Sequence, residues 1–342
     1  MSTTTKVRIV VVDGLDWEWC LANREVTAPL FTFDCCAPLR TCDAPITPSA
    51  VCALLSGRDD GQGWFSDDRY ATSQELIRTR PWFGETARAG FSVGLCNVPL
   101  TWPAFPVPGP GSWVVSGFPV DPVTLRDHRR PWRWPTTLDT AGYPIEDIVR
   151  DTGPGGSDDL AALLDAEDRI VGWMMHRAPR CDVEFVWLRS TDSAGHHAWG
   201  TPAYTETVRR ACVNAAVLAR DTNVESAIVI SDHGFDAIDS DRCAAYHRTS
   251  HGPASKAAGL CGGHSEVGVL FARGERVFAR GLLPEQRLVD VAGGIFDLLQ
   301  LPPAPGMRVG TPAWSTPVAA GDQDTVRRRM AALGYVPEPE VK

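Results

Sequence analysis

An apolar run in this chain closes on two ionisable residues in succession: Ser226-Ala-Ile-Val-Ile-Ser-Asp232-His233-Gly234-Phe235. A β-branched run bounded by glycine reads as a buried parallel strand, and ligands of open α/β sheets bind at the carboxyl ends of their strands. Alone, Asp232 and His233 would serve equally well as a capped strand end with a surface histidine. The same ending recurs, however. Asp13 closes the run Val7 to Val12, and His264 stands directly before the run Val267 to Phe271. Asp192 and His196 follow the run Val183 to Leu188 at i, i+4 spacing, which puts both on one face if the chain turns helically there. Three carboxylates and three imidazoles are a donor set for zinc, manganese or iron. Thr47 adds a hydroxyl, either as a helix cap or as a nucleophile. It precedes Pro48 at the head of a short apolar segment stopped by Gly57, where helix amides present positive charge. Two divalent ions a few ångströms apart can bridge a phosphate oxygen and stabilise a leaving oxygen, with Thr47 as the activated nucleophile.

The elements that must position these residues alternate strand and helix. Strands are expected at Val7–Val12, Phe91–Val98, Trp113–Val115, Val183–Leu188, the Asp232-His233 run and Val267–Phe271. Helices are expected after Thr47, over Asp158–His176, from about Pro202 to Arg220 and over Leu288–Leu299. That pattern predicts an α/β fold, a mainly parallel central sheet sandwiched by helices, in a single domain spanning residues 1–342. Residues 15–46 show no helical period, and 236–263 read as a polar loop. Residues 99–157, dense in Pro, Gly and Trp, read as a small cap, since aromatics at that density are costly to leave in water. Residues 303–342 read as a docking tail ending in a short helix (Asp324 to Leu333).

Composition sets the limits. The 342 residues suffice for a sizeable core, and the net charge of −9 without a basic run argues against a nucleic-acid groove. Ten cysteines are scattered without a C-x-x-C pair. No apolar stretch is long enough to cross a membrane or to form a signal core. The expectation is a cytoplasmic protein with reduced thiols and no membrane partner.

Taken in order, these motifs resemble the alkaline phosphatase superfamily, nearest its type I phosphodiesterase/nucleotide pyrophosphatase branch. The resemblance runs through Asp13-Gly14, Thr47-Pro-Ser-(x)4-Leu54-Leu55-Ser56-Gly57-Arg58 and Val93-Gly-Leu-Cys-Asn97-Val-Pro-Leu-Thr-Trp-Pro103. It continues through Val115-Ser-Gly-Phe118, Asp192-(x)3-His196, Ser231-Asp-His-Gly-Phe235, His264-Ser-Glu-Val-Gly-Val-Leu and Leu333-Gly-Tyr335. It implies an alkaline phosphatase-like fold and two divalent ions, zinc first. One would be held by Asp13, Asp232, His233 and the Thr47 oxygen. The other would be held by Asp192, His196 and His264, with Thr47 bridging. It also implies hydrolysis of a phosphodiester or nucleotide-type phosphoanhydride through a phospho-threonine intermediate. Alternatives on the same site are a phosphomonoesterase, a phosphonate hydrolase or a phosphomutase. A metal-binding pseudoenzyme that senses a phosphorylated ligand is the alternative from another class. Asn97, Trp102 and Asp68 are the candidates for contact with a small phosphorylated substrate.

Three features qualify the resemblance. Cys36-Ala-Pro-Leu-Arg40 matches the C-x-P-x-R pattern of sulfatases, but ten residues before Gly57 stands Thr47, not Cys36. The eukaryotic-type diesterases carry an asparagine about twenty residues after the nucleophile; this chain has Trp64-Phe-Ser-Asp67-Asp68 there. No arginine clearly matches the phosphate clamp of the monoesterases, with Arg58 and Arg69 the candidates that remain. His251 rivals His264 as a ligand, while His197, beside His196, lacks the i, i+4 spacing from Asp192.

Overall fold

The computed structural model describes residues 4–42, 45–58, 76–77, 81–117, 131–150, 159–243 and 259–308, together with 312 and 314. The strands are β1 (Thr5–Val12), β2 (Cys35–Arg40), β3 (Val93–Val98), β4 (Trp113–Ser116), β5 (Arg133–Trp134), β6 (Val183–Leu188), β7 (Val224–Ile230), β8 (Gly234–Ala237), β9 (Gly262–Ser265), β10 (Val267–Gly274), β11 (Gly281–Leu282) and β12 (Gln286–Arg287). The helices are α1 (Trp17–Ala22), α2 (Arg24–Phe31), α3 (Thr47–Ser56), α4 (Trp82–Arg88), α5 (Ile145–Arg150), α6 (Leu160–His176), α7 (Ser190–Ala198), α8 (Pro202–Ala219) and α9 (Val291–Leu298), the last entered through a 3-10 turn, Leu288–Asp290.

One ten-stranded sheet has the order β11-β2-β10-β7-β1-β6-β3-β4-β5, with β12 also pairing β2. Its centre, β7-β1-β6-β3-β4, is parallel, while β10 runs antiparallel to β7 and β2, and β5 antiparallel to β4. This is the mainly parallel, helix-covered sheet expected from the strand-helix alternation. Register explains why the strand ends converge. Val12 pairs Leu188 across β1 and β6, and Val11 pairs Ile230 across β1 and β7. Asp13, Arg189 and Asp232 therefore leave the carboxyl end of the sheet side by side, about 4.8 Å apart per strand.

Each strand side chain alternates between two cores. Ile9 and Val11 pack with α3, α4 and α9 on one face; Val10 and Val12 pack with α1, α2, α6 and α8 on the other. Arg8, the charge that interrupts the β1 run, is fully buried. Its guanidinium donates to Glu184 at 2.8 and 2.5 Å, to Asp221 at 3.2 Å and to the Leu218 carbonyl at 2.7 Å, which compensates the buried charge.

The structure corrects three local readings. Residues 15–46 hold α1, α2 and β2. The two helices are too short to show a period, and α2 contains Pro29. Thr47 is not a cap: Ile46 is the N-cap of α3 and Thr47 opens the helix with no capping hydrogen bond. The stretch read as a polar loop, 236–263, is entered along β8 and left along β9, which pair as an antiparallel two-stranded ribbon apart from the main sheet; residues 244–258 between them lie outside the described residues. Within 99–157, the described residues add β4 and β5 to the sheet edge. Trp113 is buried edge-on against Trp173, and Trp132 stacks on Tyr143. The expected helix at Asp324–Leu333 lies outside the described residues.

Candidate metal centre

Four pieces of chain bring the predicted residues together. β1 delivers Asp13, and β7 delivers Asp232 and His233. α7 starts within two residues of the end of β6 and so places Asp192 and His196 one turn apart over the same edge. The β8–β9 ribbon folds back to deliver His264. Thr47, at the start of α3, completes the set. His233 Nε2 lies 3.3 Å from Asp13 Oδ1, 3.4 Å from Asp232 Oδ2 and 3.4 Å from Thr47 Oγ1. His264 Nε2 lies 3.1 Å from Asp192 Oδ1 and 3.2 Å from His196 Nε2. The donors fall into two overlapping groups, Asp192–His196–His264 and Asp13–Asp192–His233, each spanning no more than 4.8 Å. His233 and His264 stack with ring centroids 3.8 Å apart.

The backbone fixes which imidazole nitrogen faces the centre. Nδ1 of His196 lies 3.2 Å from the Gly262 carbonyl, Nδ1 of His233 3.0 Å from that of Gly234, and Nδ1 of His264 2.6 Å from that of Pro45. A carbonyl only accepts, so each Nδ1 carries a proton and each Nε2 presents a lone pair inward. That is the arrangement in which histidines bind metals. Both oxygens of Asp232 and Oδ1 of Asp13 are buried with no hydrogen-bond partner. Buried carboxylates without donors are expensive, and a divalent ion is the simplest group that satisfies them. The residues present therefore fit a pair of divalent cations.

Electrostatics agree. Burial, reinforced by Asp232 and Asp192, holds the Asp13 carboxyl well above the usual range, and burial with Asp192 pushes Asp232 up to about 7. Asp192 is partly buried, but the imidazoles of His196, His264 and His233 outweigh desolvation and pull it far down. Burial and the neighbouring His233 push His264 down to about 3, and burial lowers His196. These are bases and clustered anions, a combination that favours binding a cation.

Two buried carboxylates outside the predicted set hold the pieces in place. Glu167, on α6, accepts from the Arg189 and Ser190 amides at 2.6 Å each and from Ser190 Oγ at 2.7 Å, so it caps α7 from across the fold. Asp16 accepts from the Trp19 amide (2.9 Å), Ser265 Oγ (2.7 Å), the Phe235 amide (3.3 Å) and Arg242 (3.0 and 2.8 Å). It thereby ties the β1 exit to segments beside His233 and His264. Nothing in sequence marks either residue, because its partners are far away along the chain. The only trace is the three-residue step from Asp13 to Asp16.

The remaining candidates have other partners or lie apart from the donor groups. Asn97, at φ +57°, donates from Nδ2 to the Trp187 carbonyl at 2.9 Å; Trp102 is buried. Arg58 follows the C-terminal end of α3, roughly 15 Å of helix away from Thr47, and bonds the Pro305 carbonyl. It is not a phosphate clamp. Cys36 lies in β2, paired with Phe271 of β10. Asp68, Arg69 and His251 lie outside the described residues. All ten cysteines are free, and among the described residues no helix is long and apolar enough to cross a membrane.

No protein-family model matches the chain, and no curated protein matches it in sequence. Solved structures do match. Murine ectonucleotide pyrophosphatase/phosphodiesterase 5 superposes with a TM-score of 0.51 at 14% identity, covering 88% of this chain and 96% of that one. The fold is alkaline phosphatase-like. An inactive variant of the same murine protein in complex with AMP gives a TM-score of 0.52 at 14% identity, covering 91% and 98% of the two chains. Ps i-CgsB gives 0.51 at 12% identity, covering 91% of this chain and 75% of its own. At these identities the likeness establishes the fold; the chemistry rests on the site's own residues.

Proposed function

We propose that this protein is a two-metal-dependent hydrolase of phosphodiester or nucleotide-type phosphoanhydride substrates, with Thr47 as nucleophile. The observation that carries this reading is the position of the Thr47 hydroxyl. It opens a ten-residue helix, spends no hydrogen bond on capping it, and lies 3.4 Å from Nε2 of His233, a member of the Asp13–Asp192–His233 group. A threonine kept only for helix structure would cap the helix. Asp13, Asp232, His233 and Thr47 would hold one ion, and Asp192, His196 and His264 the other. Bound there, the ions supply charge neutralisation and lower the pKa of coordinated oxygens. The helix α3 amides direct partial positive charge at the phosphoryl oxygens. Thr47 Oγ1 attacks phosphorus as its proton passes to water, the P–O bond to the leaving group breaks and that alcohol or phosphate departs protonated by water, and a water molecule then cleaves the phospho-threonine, restoring the Thr47 hydroxyl and releasing the remaining phosphate ester. The AMP complex of the murine neighbour supports a nucleotide as the substrate class.

The test compares hydrolysis of bis-p-nitrophenyl phosphate and p-nitrophenyl phosphate by zinc- or manganese-loaded protein, with Thr47→Ala as blank. Preference for the diester supports the proposal. Preference for the monoester replaces it with a phosphomonoesterase. Hydrolysis surviving in Thr47→Ala removes the threonine mechanism.

A further inference from the structure

Trp187 stands next to last in β6, in register with Val11 of β1, and is fully buried. Its indole N–H donates to Asp13 Oδ2 at 2.9 Å. Asp13 Oδ1, the other oxygen, has no hydrogen-bond partner and points at the centre, 3.3 Å from His233 Nε2. Asp232 is treated differently, since both of its oxygens are unpartnered. An indole N–H is a donor only, so one lone pair of the oxygen it holds is committed and the carboxylate plane is pinned with the other oxygen towards the centre. Without a donor, the terminal carboxylate torsion is broad and soft. Trp187 is itself braced, because Asn97 Nδ2 donates to its carbonyl at 2.9 Å from the neighbouring strand.

We propose that Trp187 is a positioning residue that makes Asp13 a one-oxygen ligand and thereby sets the affinity of the Asp13–Asp232–His233 group for its divalent ion. The inference rests on the two-metal reading of the site. Partners of ligating carboxylates govern metal affinity by about 10- to 100-fold. The effect is confined to one ion, because the indole carries a single N–H and that N–H is spent on Asp13.

The experiment titrates zinc into full-length, chelator-stripped protein against a chromophoric competitor. Wild type is compared with Trp187→Phe and with a protein carrying β-(3-benzothienyl)alanine at position 187, which keeps the ring shape and lacks the N–H. The expected result is that wild type takes up two ions. In both altered proteins one ion binds about 10- to 100-fold more weakly and the other is unchanged. The metal-free benzothienyl protein is expected to keep the cooperative unfolding transition of wild type, its midpoint lowered only by the loss of one buried hydrogen bond, which separates positioning from packing. If the benzothienyl protein binds both ions as tightly as wild type, Trp187 only fills space and the inference falls, whatever the Phe variant does. Equal weakening of both ions also overturns it. Failure of wild type to bind zinc would instead remove the two-metal reading, and this inference with it.

Discussion

His264 Nε2 stands 3.1 Å from Asp192 Oδ1, although 72 residues separate them and they arrive on different elements, the β8–β9 ribbon and helix α7. Their meeting defines one donor group; Asp13 and His233, from the ends of β1 and β7, define the other, with Asp192 shared between the two. Loss of a ligand that belongs to one group alone should therefore release one ion and spare the other. His196→Ala is expected to reduce bound zinc from two ions to one by elemental analysis, and Asp232→Ala to do the same through the other group. Unchanged zinc content in both variants would show that the ligands have been misassigned.

Thr47→Ala is expected to lower turnover by at least about 10⁴-fold while metal content stays near wild type, because the other donors remain. Thr47→Ser keeps the hydroxyl and should retain a measurable fraction of the rate. A phosphorylated Thr47 trapped by acid quench and seen by mass spectrometry would be the direct signature. Its absence under turnover would count against the covalent route.

Glu167 gives a pH dependence of stability. Burial raises its carboxyl from the ordinary 4.5 to about 7, against the opposing hydrogen bonds from Ser190 and Arg189. Between those values the folded protein binds a proton that the unfolded chain has released. Stability from this group is therefore full below about pH 4.5, falls as pH rises towards 7, and is flat above. Glu167→Gln can keep the amide acceptor without titrating. The stability difference between Glu167→Gln and wild type should grow by on the order of 3 kcal/mol from pH 4.5 to pH 7. Parallel urea-denaturation profiles across that window would contradict it.

Asp16 and Arg242 predict an asymmetric pair of substitutions. Asp16 is buried, and Asp16→Ala strands Ser265 Oγ, the Trp19 amide and Arg242, at a cost of about 3 kcal/mol. Arg242 is 43% exposed, so Arg242→Ala should cost no more than about 1 kcal/mol. Chemical denaturation of the metal-free proteins checks the order, and equal costs would show that Asp16 does not act as the hub.

Gly195 faces Phe235 so closely that an added Cβ would lie 2.7 Å from the ring. Phe235 is also edge-on to both His196 and His264. Gly195→Ala should therefore cost about 1–3 kcal/mol and weaken zinc binding together. A stable variant with unchanged zinc affinity would show that the ring yields freely.

The central strands were legible because β-branched runs ended in ionisable residues, and register then did the rest, placing Asp13 and Asp232 on one edge. The spacing of Asp192 and His196 was legible for the same local reason, one helical turn. The ribbon that carries His264 was not. Gly-Phe-Asp-Ala and Gly-Gly-His-Ser show no alternation, and their pairing joins segments over twenty residues apart. Helix α1 was hidden because six residues cannot display a period. Trp187, Glu167 and Asp16 were hidden because a tryptophan in an apolar strand, a glutamate in an amphipathic helix and an aspartate in a turn are ordinary in sequence. Only the fold brings their polar atoms to the site.

The ribbon has one more consequence. Two four-residue strands cannot stand alone, and this pair lies off the main sheet, yet it contributes a donor to the centre. Any cation that binds through His264 is then a staple across the chain, and its binding free energy is shared with closure of the ribbon. Such a protein reports the free concentration of its own metal as resistance to unfolding. Scarcity of the ion would be felt first as a loosened ribbon, read as faster amide exchange at residues 262–265, while the sheet beneath stays intact.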